Sequence, residues 1–158
     1  MAKSRTQIDR RVQAFIETCR RQGLKVTHQR MEIFRELAVS RTHPDAEAVF
    51  RAVAGRVPSI SRDTVYRTLS TLEAEGLIRK VEPVFESVRY DANLDPHHHF
   101  VCTTCGAIHD FYSEDLDRLT IPPSVKALGQ IDSAQVQIRG VCSVCVDRKS
   151  QSRQRRAE

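Results

Sequence analysis

Tryptophan is absent from this 158-residue sequence, and aromatic residues make up only 6% of it. So few rings leave little for unstacked bases to lie on, which counts against a zinc protein that binds single-stranded RNA. Long hydrophobic runs are missing too: none approaches the ~20 residues of a membrane-spanning helix. The opening stretch MAKSRTQIDRR lacks the apolar core of a secretory signal, so the expected location is cytoplasmic and no membrane partner is expected. Also missing is the His-x-Glu and Pro-Cys-x-x-Cys pattern of zinc deaminases, and no acidic residue adjoins either cysteine pair as a general base. A zinc-dependent enzyme is the weaker reading, and no catalytic residue is assigned.

Charge of both signs is present but unevenly divided. Residues 1–90 hold 17 Lys and Arg against 11 Asp and Glu, residues 91–147 hold 3 against 8, and residues 148–158 hold 5 against 1. A basic N-terminal half beside an acidic half rich in metal-ligand side chains predicts two modules with different partners. The expected division is a DNA-binding domain over 1–84, a hinge over 85–96 and a metal-binding domain over 97–147. A basic tail over 148–158, with next to nothing apolar to bury, is expected to be disordered.

In the first module, Val12, Phe15, Ile16 and Cys19 recur at helical spacing over 8–22, and Gly23 stops the run. Cys19 lies on that apolar stripe and reads as a small buried hydrophobe rather than a reactive thiol. Thr27 is placed to cap a helix over 28–39. Pro44 and Asp45 open a third helix, ended by Gly55. Ser61 caps a fourth, RDTVYRTLSTLEAE, which Gly76 terminates. LIRKVEP and VFESVRYDA then alternate as two short strands. Helices, a turn, a further helix and a two-stranded wing predict a winged helix-turn-helix. The fourth helix carries Arg62, Thr64, Tyr66 and Arg67 on its outer side. Arginine can pair with guanine, tyrosine can pack on a thymine methyl, and Ser61 with Thr64 can hold a phosphate at the helix N-terminus. With Arg30 these are the expected contacts to double-stranded DNA. The alternative, a solvated helix face, is disfavoured by the basic surplus, the preceding turn and the wing.

The second module reads as strands over 97–102, 107–112 and 131–139 of a small antiparallel sheet, with a helix starting at Ser113. The overall fold class expected is α+β. Cys102, Cys105, Cys142 and Cys145 form two Cys-x-x-Cys pairs, 36 residues apart. A two-residue spacer lets both sulfurs of a pair reach one ion, and four thiolates with no open position suit structural zinc. Gly106 and Gly140 beside the pairs permit tight turns. The metal would clip the first and last strands of the sheet together.

The run HHHF leaves a further question. On a strand, His97 and His99 share one face and His98 takes the other. Asp110, on the returning strand, can approach the first face. Imidazole and carboxylate suit Fe(II), Mn(II) or Zn(II), and the residues by themselves leave a second metal site open.

The stretches SISRDTVYRTLSTLEAEGLI, RYD, HHHFVCTTCG and GVCSVC, in that order over about residues 10–147, resemble the ferric uptake regulator (Fur) family of metal-dependent repressors. Within it the sequence looks most like the peroxide-sensing regulator (PerR) branch. The resemblance implies a homodimer on palindromic operator DNA, with a C-terminal dimerisation domain. It also implies a regulatory Fe(II) or Mn(II) site of His43, Asp91, His97, His99 and Asp110, beside the zinc. His43 or His97 would be the residue oxidised by peroxide. Pro96 and Ala134 stand where some iron-sensing relatives place histidines of a further site, so that site is not expected here. Sensing of iron or zinc supply within the same family is the alternative function.

Overall fold

The computed structural model describes residues 5–81 and 87–154, with side chains described as far as Lys149. By contacts the chain divides into two compact units, with the division between Leu94 and Asp95.

The first unit begins with four helices: α1 (Arg5–Arg21), α2 (His28–Val39), α3 (Ala46–Ala54) and α4 (Arg62–Ala74). Three of them start where a short polar side chain replaces a missing intrahelical acceptor. The side chains of Thr27, Asp45 and Ser61 accept from the backbone N–H of Arg30, Ala48 and Thr64, respectively. Gly76, at φ 68°, ends the chain segment after α4 in the left-handed region that glycine tolerates. The apolar faces meet in one core that includes Phe15, Ile33, Leu37, Val49, Val65, Leu69, Leu72 and Ile78. Phe15 and Phe34 stack at 4.0 Å there. Cys19 is fully buried in the same core, and burial pushes its thiol pKa up. Strands β1 (Arg79–Val81) and β2 (Arg89–Asp91) pair antiparallel, with Arg79 opposite Asp91. Helices followed by this two-stranded wing make the winged helix-turn-helix. The first part of the expected second wing strand, residues 84–86, lies outside the described residues.

The second unit contains β3 (His98–Cys102), β4 (Ile108–Phe111), the short helices α5 (Glu114–Asp117) and α6 (Pro123–Lys126), β5 (Gln137–Gly140) and α7 (Ser143–Gln154). The sheet order is β4-β3-β5. β3 pairs antiparallel with β4, but parallel with β5. The expected all-antiparallel sheet is thus corrected. The segment from Tyr112 to Val136 carries α5 and α6 and returns the chain to the start of the sheet rather than folding straight back. Residues 131–136, expected as strand, are not part of β5. Of the tail expected to be disordered over 148–158, residues 148–154 continue α7, and residues 155–158 lie outside the described residues. The start of α7 is fixed by the N–H groups of Cys145 and Val146, both donating to Cys142 O.

Candidate functional site

The four cysteines of the two pairs come together in the second unit. Cys102 ends β3, Cys105 follows in the turn, Cys142 precedes α7, and Cys145 lies in its first turn. All four are free thiols, and their sulfurs lie within 4.8 Å of one another. Cys105 Sγ and Cys142 Sγ are 3.8 Å apart. Four sulfurs each about 2.3 Å from a tetrahedral zinc would be about 3.8 Å from each other, so the spacing fits that ion. Gly106 makes the knuckle turn possible with φ 71°, its N–H donating to Cys102 O. Gly140 serves differently: a Cβ there would stand 3.1 Å from the Phe100 ring, tighter than ordinary contact, so the closeness of that ring and not the backbone angle favours glycine.

The electrostatics of this cluster also ask for a cation. N–H donors of the Cys142 and Cys105 backbone lower the Cys102 thiol to about 6. Cys145, hydrogen-bonded to Cys142 and pressed among the other sulfurs, is pushed up to about 12. One thiolate is stabilised by the fold and the next resists forming beside it. A doubly charged ion removes that conflict, because each sulfur then faces positive charge.

A second set of donors lies on the same unit. The register of β3 against β4 puts His99 directly opposite Asp110. His97 Nε2 and His99 Nε2 are 3.0 Å apart, and Asp110 Oδ1 is 3.7 Å and 3.5 Å from them. Two nitrogens about 2.1 Å from one ion and at right angles to each other stand about 3.0 Å apart, so the pair fits a six-coordinate ion. His97 Nδ1 is 2.7 Å from Asp95 O. A carbonyl only accepts, so Nδ1 carries the hydrogen, and in the neutral ring this leaves the lone pair on Nε2, as a metal-binding imidazole requires. His98 is turned the other way. Its Nδ1 accepts from Val136 N–H, and its Nε2 is 3.2 Å from Asp117 Oδ1. It ties β3 to the segment before β5 and places its other ring nitrogen beside Asp117 of α5.

The first unit brings together the other two residues of the implied set. His43 Nδ1 is 3.7 Å from Asp91 Oδ1, and both side chains are buried. His43 is the one non-glycine residue with positive φ among the described residues, at 46°. Arg89 Nη1 donates to its carbonyl at 3.2 Å, and Tyr90 N–H donates to Pro44 O at 3.1 Å. The wing thereby holds the loop in a conformation that costs energy alone. Sequence reasoning missed Arg89, and it also missed Asn93 and Arg11. Asn93 N–H donates to Asp91 Oδ1. The only local signal is the Asp-x-Asn spacing of an Asx turn.

The expected DNA contacts lie on α4 and its cap, with Arg30 on α2, and differ in what they touch. Tyr66 and Arg67 are exposed, with Arg67 paired to Asp63 at 3.0 Å. Ser61 and Thr64 are joined to each other at 2.9 Å in the cap of α4. Arg62 donates from Nε and Nη2 to Glu47 and lies 4.4 Å above the Phe50 ring. Arg30 Nη1 donates to Lys25 O.

Known proteins resemble this chain. The family model for the ferric uptake regulator family matches residues 21–138. A peroxide-responsive repressor, PerR, of Staphylococcus epidermidis is 30% identical over 138 residues, spanning 87% of this chain and 92% of that protein. The structure of a ferric uptake regulator from Francisella tularensis with iron superposes with a TM-score of 0.59 at 27% identity, covering 78% of this chain and 95% of that one. A zinc uptake regulator complexed with zinc and DNA has the same fold, with a TM-score of 0.64 at 24% identity over 94% of this chain and 99% of its own. With the winged helix, the four-sulfur cluster and the matched residues all in agreement, this chain belongs to the ferric uptake regulator family.

Proposed function

We propose that this chain is a dimeric, metal-dependent transcriptional repressor that binds palindromic double-stranded DNA through α4 and releases it on exposure to peroxide. Zinc on Cys102, Cys105, Cys142 and Cys145 maintains the second unit. Fe(II) or Mn(II) is held by His43, Asp91, His97, His99 and Asp110. The observation that carries this reading is the pair of incomplete donor sets. His43 and Asp91 supply two donors on the first unit, and His97, His99 and Asp110 supply three on the second. Neither fills the six positions that Fe(II) or Mn(II) prefers with N and O ligands. A metal taking both sets couples the units and so sets the spacing of the two α4 helices in a dimer, which must match half-sites about one helical turn apart. A zinc uptake regulator of this fold is seen with zinc and DNA, which supports DNA as the partner.

Peroxide sensing rests on the likeness to peroxide-responsive repressors. Bound iron would supply the means of cleaving the peroxide O–O bond beside the imidazoles. One peroxide oxygen would replace the hydrogen on the ring carbon between the nitrogens of His43 or His97 and the other would leave as water, the two electrons that peroxide takes coming in net from the ring; the oxidised ring, with hydrogen on both nitrogens, would have no lone pair for the metal. The test uses zinc-loaded protein and a random duplex library from which binding sites are selected. Mn(II) and Fe(II) should each promote binding, peroxide should abolish it for the Fe(II) form alone, and His43→Ala should bind weakly whether or not metal is added. Absence of added oxygen on both histidine peptides would sink the peroxide step. A second reading, sensing of iron supply, is favoured by the iron-bound relative from Francisella tularensis. It predicts release on iron removal and indifference to peroxide.

A further inference from the structure

A polar residue sealed from water costs free energy unless its groups are bonded. Asn93 is 0% exposed. Its backbone N–H donates to Asp91 Oδ1 at 2.7 Å, closing an Asx turn over Ala92. Its side-chain Oδ1 accepts from Arg11 Nη2, also at 2.7 Å, across 82 residues of sequence. Arg11 lies on α1, whose buried residues Phe15 and Cys19 fix that helix in the core. A rigid helix therefore holds the Asn93 side chain, the backbone N–H of the same residue holds a carboxylate, and the carboxylate stands 3.7 Å from His43.

We infer that Arg11 and Asn93 are positioning residues for Asp91, so that the N-terminal helix sets how tightly the first unit grips the regulatory metal. The inference rests on the five-ligand reading above. An aspartate turns freely about two side-chain torsions, and a metal that must stop this rotation loses affinity. The Asx turn stops it beforehand, and the charge-assisted bond from Arg11 keeps the turn closed. Partners one bond removed from a ligand carry about 10–100-fold in metal affinity. Arg11→Met and Asn93→Ala break the same link, so their effects should not multiply.

The experiment is titration of full-length, zinc-loaded protein with Mn(II), with free Mn(II) read by its electron paramagnetic resonance signal. Arg11→Met and Asn93→Ala should each bind about 10–100-fold more weakly, the double variant no more weakly than either, and Arg11→Lys in between. Arg20→Met, altering an exposed arginine of the same helix, should match the unsubstituted protein. A purely structural role would lower the urea midpoint of the metal-free protein and leave Mn(II) affinity alone. That outcome overturns the inference, as does full Mn(II) affinity in both single variants while Asp91→Ala loses it. Full affinity in Asp91→Ala itself overturns the five-ligand reading and this inference together.

Discussion

His43 sits at φ 46°, where a side-chain-bearing residue is about 1–2 kcal/mol worse off than in the ordinary helical region. Glycine feels no such penalty but gives up about 0.4–1 kcal/mol through its freer unfolded chain. His43→Gly should therefore be more stable than His43→Ala in the metal-free state by a few tenths of a kcal/mol to ~1 kcal/mol. Urea unfolding of the two variants checks the order, and both should fail to retain Mn(II). A second residue has a purely structural task. Arg56 donates from Nε to Glu32 and from Nη2 to Glu36, and these bonds hold its already high pKa higher. Glu32 is buried, so Arg56→Ala takes the donor from its Oε2 and leaves only Arg35, on Oε1; with Arg56 itself half-exposed and screened, the cost should be about 1 kcal/mol, visible as a lowered urea midpoint. Neither role can be read locally. His43 is far along the chain from every other candidate ligand and enters the set only through resemblance. The Arg56 pairs span 24 and 20 residues and leave no periodic mark.

At the scale of elements, capping is where sequence and structure agree most closely, because a cap is decided by three neighbouring residues. Ser61→Ala removes the acceptor for Thr64 N–H at the start of α4 and should cost about 1 kcal/mol, measurable by thermal unfolding. The direction of β5 was not legible in the same way. Alternation in QVQIRG identifies a strand and says nothing about its partner's polarity, which is decided by the path through α5 and α6. α7 was hidden for another reason. Its sequence has little apolar surface, but its first turn is pinned between Cys142 and Cys145, so the cluster starts a helix that composition argues against. The second unit's buried apolar residues are few, chiefly Val101 and Ile108 beside the cysteines. Its stability should depend on the thiolate-bound ion, as in other small metal-held units. Chelation of zinc, or Cys142→Ser, should accelerate amide exchange along Phe100–Cys102 and Gln137–Gly140 and shorten α7. The helices of the first unit, which have a core of their own, should keep their protection.

For the molecule as a whole, the proposed metal and DNA bind at different places and influence each other only by favouring the same state of the chain. Such coupling is a single free energy and must be equal in both directions. If Mn(II) strengthens DNA binding by a factor within the usual range of about 5–150, a saturating duplex must strengthen Mn(II) binding by that same factor. Salt offers an independent handle, because the surplus of arginine and lysine lies in residues 1–90 and 148–158 while most candidate ligands of the metal lie between them. Raising the salt concentration should weaken DNA binding steeply, through the counterions no longer released, with and without Mn(II) alike. The ratio between the two affinities should then stay nearly constant while both fall. Paired titrations, of DNA at fixed Mn(II) and of Mn(II) at fixed DNA over a range of salt, measure both factors. Equal factors that resist salt mean the metal selects a conformation. A factor that collapses as salt rises means the cation acts merely by adding positive charge near the phosphates, and His43→Ala would then weaken DNA binding no more than any other loss of metal charge.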